Sequence, residues 1–493
     1  MKSASRFEKI AARMWNLLNE GKPFTPIFTI GVFLTYALLF SGDFSGVFTG
    51  FLLTLPLFVL YWRYDFPLFL RNYLWIPLIL WLFARGTNEA VLPLFAWGTG
   101  LYFFFTVFFW GTIYYHLRIG TDWSNFTRFW KLVLKNSDST SGNAQEQLPK
   151  VALLLAYWQG ATVEPITSPD LFYLWFPAVL FAYAFILHRN LFDWKPELPA
   201  ELTVDAEVPP SKKVYVLVID GMRKDRYMAA NTPFLERLRQ GGTEYTNMET
   251  VYPARTVVCF SSMFTGARPE DHGIHSNMVW NTIGVRTDTV FERLRDVGKS
   301  GKLLGIAHLV DAFGSEDVRT VTAVMHNDVA DRNIVERAKR IVREEDPDLL
   351  AIQLIGTDQT GHSRGTLYSE YIDKIEEADR LLEDFCAELE TLGKLDDATL
   401  IVMADHGQAD GIGGHGHLDE GERFVPFWMY GPTIAPGKKV DTHRHILSLA
   451  PTVARMLGAD IPHDSRGVLL SEAFTDSNKE ARHGQDHRIP ARS

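Results

Sequence analysis

The chain has 493 residues, 46% of them hydrophobic and 22% charged, with a net charge of −10. That length is too great for one ordinary domain and sufficient for two, and the charge is unevenly shared: residues 1–199 carry 15 Lys/Arg against 12 Asp/Glu, residues 200–493 carry 34 against 47. An acidic second half argues against nucleic acid as a partner, because phosphate backbones need basic surfaces, and two cysteines, Cys259 and Cys386, cannot build a disulfide framework or a Cys-rich zinc site.

The start "MKSASRFEKIAAR" is basic but lacks a nearby apolar stretch with a small-residue cleavage site, so no cleavable signal peptide is expected. Five apolar segments follow, near 25–41, 45–62, 68–84, 90–115 and 171–187. The fourth, "VLPLFAWGTGLYFFFTVFFWGTIYY", exceeds the ~20 residues needed to cross a bilayer, and Trp or Tyr stands at several segment ends, as in interfacial belts. Residues 1–190 are therefore expected to form an α-helical transmembrane domain of about five helices. The run "VALLLAYW" within 120–165 is too short to span and is expected to be amphipathic or interfacial.

Five crossings put the N-terminus, 63–67 and 116–169 on one side with twelve basic residues, against three on the other: Arg85, Arg189 and Lys195. The positive-inside rule then makes the N-terminus cytoplasmic and everything after residue 190 extracytoplasmic. A crossing by the "VALLLAYW" region would invert that orientation.

Residues 191–213 are rich in Pro and Glu and read as a linker. Beyond it, short apolar runs predict strands at 214–220, 302–307, 349–356, 399–405 and 424–431, with amphipathic helices at 329–346 and 366–393 between them. Continuous apolar strands alternating with helices indicate a mostly parallel sheet covered on both faces, here over 214–473. Cys386 falls on the apolar stripe of the second helix and is expected to be a core thiol. The polar residues 474–493 are expected to be a mobile tail.

In such folds the site lies outside the carboxyl ends of the strands. Asp220 ends the first strand; Asp358 follows the third, with His362 four residues on; Asp405 and His406 end the fourth; His415 and His417 stand in "GGHGH". Taken singly, each has a plain reading: an Asp-Gly turn, a chance D-x-x-x-H spacing, a glycine-rich loop. Together they would put three carboxylates on one rim, which needs a cation to neutralise them. Histidine nitrogens and aspartate oxygens suit zinc, and two metals clamp the attacking and leaving oxygens of a phosphoryl displacement. The stretch "VYPARTVVCFSSMFTG" (251–266) offers Thr256, Cys259, Ser261, Ser262 and Thr265 as candidate nucleophiles.

"VIDGMRKDRY", "NTPFLERLRQGGTEYTNMETVYPARTVVCFSSMFTGARPEDHGI", "GTDQTGH" and "ADHG" resemble the alkaline phosphatase superfamily, in particular its type I phosphodiesterase/nucleotide pyrophosphatase branch. The resemblance covers most of 214–431 and continues weakly to "LSLAPTVARMLGADIP". It implies an alkaline-phosphatase-like fold and two divalent ions, zinc or manganese. One ion would be held by Asp358, His362 and a later histidine, the other by Asp220, Asp405, His406 and the nucleophile.

The residue after Tyr-Pro-x-(Lys/Arg) selects Thr256 as that nucleophile, with Ser261, Ser262 and Thr265 downstream in a helix. Cys259 is no sulfatase cysteine, since C-x-P-x-R is absent; it departs from a phosphate-binding Asn of the branch. With Arg223 and Arg255 it is a candidate substrate contact. His415 is the preferred third histidine, as in the "HG" loop of ethanolamine-phosphate transferases, with His417 the runner-up. His443 and His445 read as surface residues and His272 as a structural hydrogen-bonding residue.

The layout of several spans and a catalytic domain also resembles lipoteichoic acid synthases and lipid A phosphoethanolamine transferases. The expected protein is thus a membrane-bound two-metal phosphodiesterase or phosphotransferase acting outside the cytoplasmic membrane through a phospho-threonine, on a lipid headgroup, a lipid-linked phosphodiester or an envelope phosphodiester. The rivals are a nucleotide pyrophosphatase or phosphomonoesterase, a mutase (which a membrane half disfavours), and a receptor with a degenerate domain.

Overall fold

The computed structural model describes residues 21–475, apart from 43, 65, 67, 87–90, 120, 135–143, 166, 168, 192–207, 278–283, 322–328, 410–413 and 417–418. The predicted tail beyond 475 and most of the predicted linker therefore lie outside the described residues. Two compact units separate: one of Met14–His116 with Thr121–Lys195, the other built on Pro196–Ser493.

The first unit is a helical bundle. Its elements are α1 (Gly21–Tyr36, continued to Ser41 as a wider π turn), α2 (Val47–Arg63), α3 (Trp75–Arg85, preceded by the 3-10 turn Leu68–Leu74), α4 (Val91–Phe103, continued to Ile119), α5 (Asn125–Leu134), α6 (Ala144–Ala161) and α7 (Phe172–Leu191). Pro23–Ser41, Val91–Leu117 and Phe172–Leu191 are each long and apolar enough to cross a membrane. Large apolar side chains such as Phe48, Val59, Phe83, Leu92 and Leu174 stay exposed on the outside of the bundle. Exposure on that scale is what a lipid-facing surface requires.

The "VALLLAYW" region departs from its expectation. It lies in α6, an 18-residue helix with most of its residues buried, including Glu146, Gln147 and Lys150. An interfacial helix would keep a polar face in water; this one has its polar residues inside. Lys150 Nζ donates to Glu146 Oε1 at 2.5 Å, Arg71 lies 3.6 Å from the other oxygen of Glu146, and Thr25 donates to Gln147 at 2.7 Å. Trp158, near the other end of the helix, donates to Val47 O and stacks on Phe33.

Among the described residues α6 is thus a buried member of the bundle. His188, in the last turn of α7, packs on Tyr64 and Phe66, and Lys150 sits over Tyr61 and Phe66. Residues 25, 61–66, 147–150 and 188 therefore share one end. At the other end Arg85 pairs with Asp170 at 2.6 Å. Thr25, near the start of the described residues, and His188, near the end of α7, thus lie toward the same end of the bundle.

The second unit is an eight-stranded sheet in the order β10-β2-β9-β7-β1-β6-β4-β5. The strands are β1 (Lys213–Ile219), β2 (Thr243–Tyr245), β4 (Gly301–Gly305), β5 (Val318–Thr320), β6 (Leu349–Leu354), β7 (Ala398–Met403), β9 (Phe427–Tyr430) and β10 (Lys438–Val440). β7, β1, β6, β4 and β5 are mutually parallel, and β9 runs antiparallel to β7 and β2. The central strands are buried along their whole length, as sheets covered on both faces require. Helices α8 (Thr256–Thr265), α9 (Ala330–Glu344), α10 (Gly356–Arg364), α11 (Ser369–Thr391) and α12 (Leu449–Met456) accompany it. Cys386 is buried on α11.

The single strand expected at 424–431 is split at Pro426, which cannot donate to a ladder. Its first half, β8 (Phe424–Val425), joins β3 (Met248–Glu249) and β11 (Arg444–His445) in a separate three-stranded sheet. Phe474, assigned to the tail by sequence, is buried and bridges to Ile434.

Candidate active site

β6, β1 and β7 are neighbours, so Asp358, Asp220 and Asp405, which follow them, emerge side by side on one rim. After β1 the chain turns through Gly221 at φ +68°, where a Cβ would meet Asp358 Oδ1 at 2.8 Å; only glycine allows that approach. Tyr371 of α11 pins the turn, donating to Gly221 O at 2.5 Å and accepting Arg223 N–H at 3.0 Å.

Two groups of side chains form on this rim. Asp220, Asp405 and His406 offer atoms no more than 4.8 Å apart, and so do Asp358, His362 and His415. The imidazoles of His406 and His415 stack at 3.8 Å between centroids and join the groups. His406 Nδ1 is 2.8 Å from Gly407 O and His415 Nδ1 is 2.6 Å from Ala254 O. A carbonyl can only accept, so each Nδ1 carries the proton and each Nε2 turns a lone pair inward. Those lone pairs face carboxylate oxygens: His406 Nε2 lies 3.5 Å from Asp220 Oδ1 and 3.4 Å from Asp405 Oδ2, and His415 Nε2 lies 3.5 Å from Asp358 Oδ1. His362 Nε2 is 3.3 Å from that same oxygen.

Acceptors facing acceptors repel unless a cation lies between them. Asp220 Oδ1 and Asp405 Oδ2 are buried, and among the described residues neither finds a hydrogen-bond donor. Their other oxygens are held, Asp220 Oδ2 by Gln353 Nε2 at 2.5 Å and Asp405 Oδ1 by Gly221 N–H at 3.3 Å. Each carboxylate is thus oriented through one oxygen and left bare at the other. Burial, with the charges of Asp405 and Asp358, raises the Asp220 pKa well above the carboxylate range. Burial beside His406 drives His415 well below its ordinary value, toward the neutral ligand form. Three buried carboxylates with imidazoles aimed at them fit a pair of divalent ions.

Thr256 opens α8, with Arg255 as its N-cap residue, and its Oγ lies 3.3 Å from His406 Nε2. The rival nucleophiles are committed elsewhere. Ser261 donates to Val257 O, Thr265 donates to Ser261 O, and Ser262 Oγ lies 2.9 Å from His272 Nε2. His272 accepts Ile274 N–H at Nδ1, and burial lowers its pKa to about 3, so it serves as a neutral hydrogen-bonding residue.

Two expected substrate contacts are corrected. Cys259 is fully buried against Thr250 Oγ1 at 3.3 Å and its thiol pKa is pushed well up by that burial; it belongs to the core. Arg223 donates through Nε and Nη2 to Asp225 and through Nη1 to Gln408 O, so its guanidinium is a brace. Arg255 does reach the site, its Nε lying 3.1 Å from where a Cβ on Gly416 would stand. His417 is outside the described residues.

Sequence reasoning missed several positioning residues. Gln408 donates to both Asp358 O and Asp358 Oδ1. Glu422 accepts Gly416 N–H at 3.0 Å and fixes the His415 loop. Asn277 Oδ1 accepts Val257 N–H at 2.9 Å, beside Thr256. No periodicity marks such residues; a carboxamide just after "HGIHS" was the one available signal.

The sequence pattern of type I phosphodiesterase / nucleotide pyrophosphatase matches residues 214–325, and that of the metalloenzyme superfamily matches 287–461. Residues 214–461 form an alkaline-phosphatase-superfamily domain. Among its relatives, human GPI ethanolamine phosphate transferase 3, catalytic subunit, is 26% identical over 230 residues, 45% of this chain and 20% of the relative. GPI ethanolamine phosphate transferase 3 of Schizosaccharomyces pombe is 34% identical over 140 residues, 27% of this chain and 14% of the relative. Mouse ectonucleotide pyrophosphatase/phosphodiesterase family member 1 is 27% identical over 241 residues, 44% of this chain and 25% of the relative. The chain thus spans a quarter or less of the length of these curated relatives.

Proposed function

We propose that this protein is a membrane-bound, metal-dependent phosphodiesterase or phosphotransferase that works through Thr256 on a lipid headgroup or lipid-linked phosphodiester. The observation that carries the reading is the pair of bare, buried oxygens on Asp220 and Asp405, aimed at the same His406 Nε2 that Thr256 Oγ approaches. Asp220, Asp405, His406 and Thr256 would hold one divalent ion, Asp358, His362 and His415 the other. Zinc suits this mixture of imidazole and carboxylate, and manganese is the second choice. Bound there, the ions supply Lewis acidity that lowers the pKa of the Thr256 hydroxyl and neutralises charge on the leaving oxygen.

In the reaction Thr256 Oγ forms a bond to phosphorus as the bond to the leaving alcohol breaks. The phospho-threonine then passes its group to an alcohol or to water, restoring the hydroxyl. Arg255 and the amide nitrogen of Asn277, beside the start of α8, would hold phosphate oxygens. The GPI ethanolamine phosphate transferases among the relatives favour a phosphoethanolamine-type diester and an alcohol acceptor over a nucleotide. A panel of bis-(p-nitrophenyl) phosphate, the monoester, a nucleotide diester and labelled phosphatidylethanolamine, run with the full-length protein in detergent, tests this. Turnover confined to the monoester or the nucleotide would overturn it.

The side on which the domain works depends on the number of crossings. Five crossings lead outward; the course of α6 supports six, which return the chain to the end that carries Arg63, Arg71, Lys150 and Arg189, opposite Arg85. By the positive-inside rule that end is cytoplasmic, the reverse of the orientation inferred from five segments. A phosphatase-type reporter joined after residue 195 should then be inactive and a fluorescent-protein fusion bright. An active phosphatase reporter would restore the outward placement.

A further inference from the structure

The geometry points to a third divalent-cation site in the catalytic unit, built by Glu249, His443 and His445 on the small sheet β3-β8-β11 and suited to zinc. Its ligands are separate from those on the strand-end rim, and it does not depend on the reaction proposed above.

His443 and His445 are alternate residues, one just before β11 and one ending it, so both side chains fall on one side of an extended segment. β11 pairs with β3 in parallel, with His445 opposite Glu249. Both imidazoles converge on one atom: His443 Nε2 lies 2.7 Å and His445 Nε2 4.0 Å from Glu249 Oε2. The rings are 4.6 Å apart, and the three ligand atoms all lie within 4.8 Å of one another. Far from being surface residues, His445 and Glu249 are buried, at 4% and 2% exposure.

The other carboxylate oxygen is already taken. Arg423 donates to Glu249 Oε1 through Nε at 2.8 Å and Nη2 at 2.6 Å. That clamp offsets the charge of Glu249, fixes its plane and leaves Oε2 for the histidines, the arrangement that orients a metal-ligating carboxylate. As a simple ion pair the group would be complete with Arg423 and one histidine. The second imidazole is aimed at the same oxygen from 4.0 Å, beyond hydrogen-bond reach. Ligands about 2.0–2.2 Å from a tetrahedral ion stand roughly 3.4 Å apart, and the observed 2.7 and 4.0 Å straddle that spacing. Two imidazoles and one carboxylate favour zinc over magnesium or calcium, and half-buried His443 gives an ion access from solvent.

Such an ion would tie β3 to β11 beside the catalytic rim. Glu249 precedes Thr250, whose hydroxyl donates to Asp405 O at 2.5 Å. The site is therefore a brace behind a strand-end carboxylate, with positioning rather than catalytic residues.

The test strips the detergent-solubilised full-length chain with chelator, reloads it with Zn2+ alone and counts zinc per chain after desalting. Asp358→Asn/Asp405→Asn, which cripples both strand-end groups, should retain one zinc, and adding His443→Ala should remove it. His443→Ala alone should lower the wild-type count by one. Co2+ loaded into the double variant should give a visible absorption band that Glu249→Gln abolishes. An equal zinc count with and without His443→Ala, in either background, overturns the third site. A count unmoved by Asp358→Asn/Asp405→Asn would instead strike the strand-end assignment and leave the His443 comparison intact.

Discussion

Asp405→Asn should stabilise the metal-free protein and destabilise the zinc-loaded one. Asp220 and Asp405 present oxygens no more than 4.8 Å apart in a buried pocket. At an effective dielectric constant of about 20, two unit charges at that distance repel by roughly 3.5 kcal/mol. Asparagine keeps the acceptor that Gly221 N–H uses, so most of that repulsion is relieved at little cost in hydrogen bonding. Without metal, at a pH above the raised pKa values where both groups are charged, a gain of about 2–3 kcal/mol is expected, several degrees in Tm for a domain of this size. Below them protonation already relieves the repulsion and the gain shrinks.

The pH dependence has a definite sign. Burial raises the pKa of both Asp220 and Asp405 above the unfolded value of 3.8. At these two carboxylates the folded state binds more protons than the unfolded one, so their contribution to metal-free stability falls as pH rises from about 3.8 through the raised pKa values. Buried His415 and His272, with lowered pKa values, contribute the opposite slope below about 6.5. With zinc bound, protons compete with the ion and the trend reverses. Thermal unfolding of wild type and Asp405→Asn, each with chelator and with excess zinc across pH 4–8, reads both effects. A variant less stable than wild type in chelator would refute the reasoning, because the carboxylates would then not be in unrelieved repulsion.

Thr256→Ala should lower turnover by on the order of a thousandfold or more while keeping the zinc count nearly unchanged, and Thr256→Ser should restore a fraction. Mapping a trapped phosphopeptide to Ser261 or Ser262 would overturn the nucleophile. Cys259→Ala should leave kcat and KM near wild type and cost about 1–2 kcal/mol of stability from the lost packing; a large rise in KM would return Cys259 to the substrate. Glu146→Ala should destabilise the helical unit by about 3–5 kcal/mol, since it strips the carboxylate from buried Lys150 and Arg71. Detergent-solubilised thermal aggregation checks this, and an unchanged midpoint would mean the cluster is hydrated.

Much of the catalytic unit was legible in the chain. The strands at 214–220, 349–356 and 399–405 are uninterrupted apolar runs ending in Asp, and a strand that is buried along its length has no other sequence to adopt. That parallel strands put their carboxyl ends on one rim made Asp220, Asp358 and Asp405 neighbours before any coordinate was known. Thr256 and His415 came from the resemblance, since spacing alone left five nucleophiles and two histidines in contention.

Tertiary structure decided what depends on partners far apart in sequence. The "VALLLAYW" run looked too short to span and read as amphipathic or interfacial, yet it lies in a longer buried helix that carries Glu146 and Lys150 inside. Arg71, 75 positions earlier, makes the burial of Glu146 and Lys150 tolerable. Cys259 and Arg223 stood in the right motifs but turn into the core and toward Asp225, a matter of side-chain direction that no motif encodes. Gln353, Gln408 and Asn277 carry no periodicity, and their value lies in the hydrogen bonds they place beside the site. His443 and His445 became candidate ligands only when β11 paired with β3 and brought Glu249 across. Sequence determines which residues have the chemistry to bind or react; strand pairing and packing determine which of them meet, because contact energies depend on distances that chain spacing does not set.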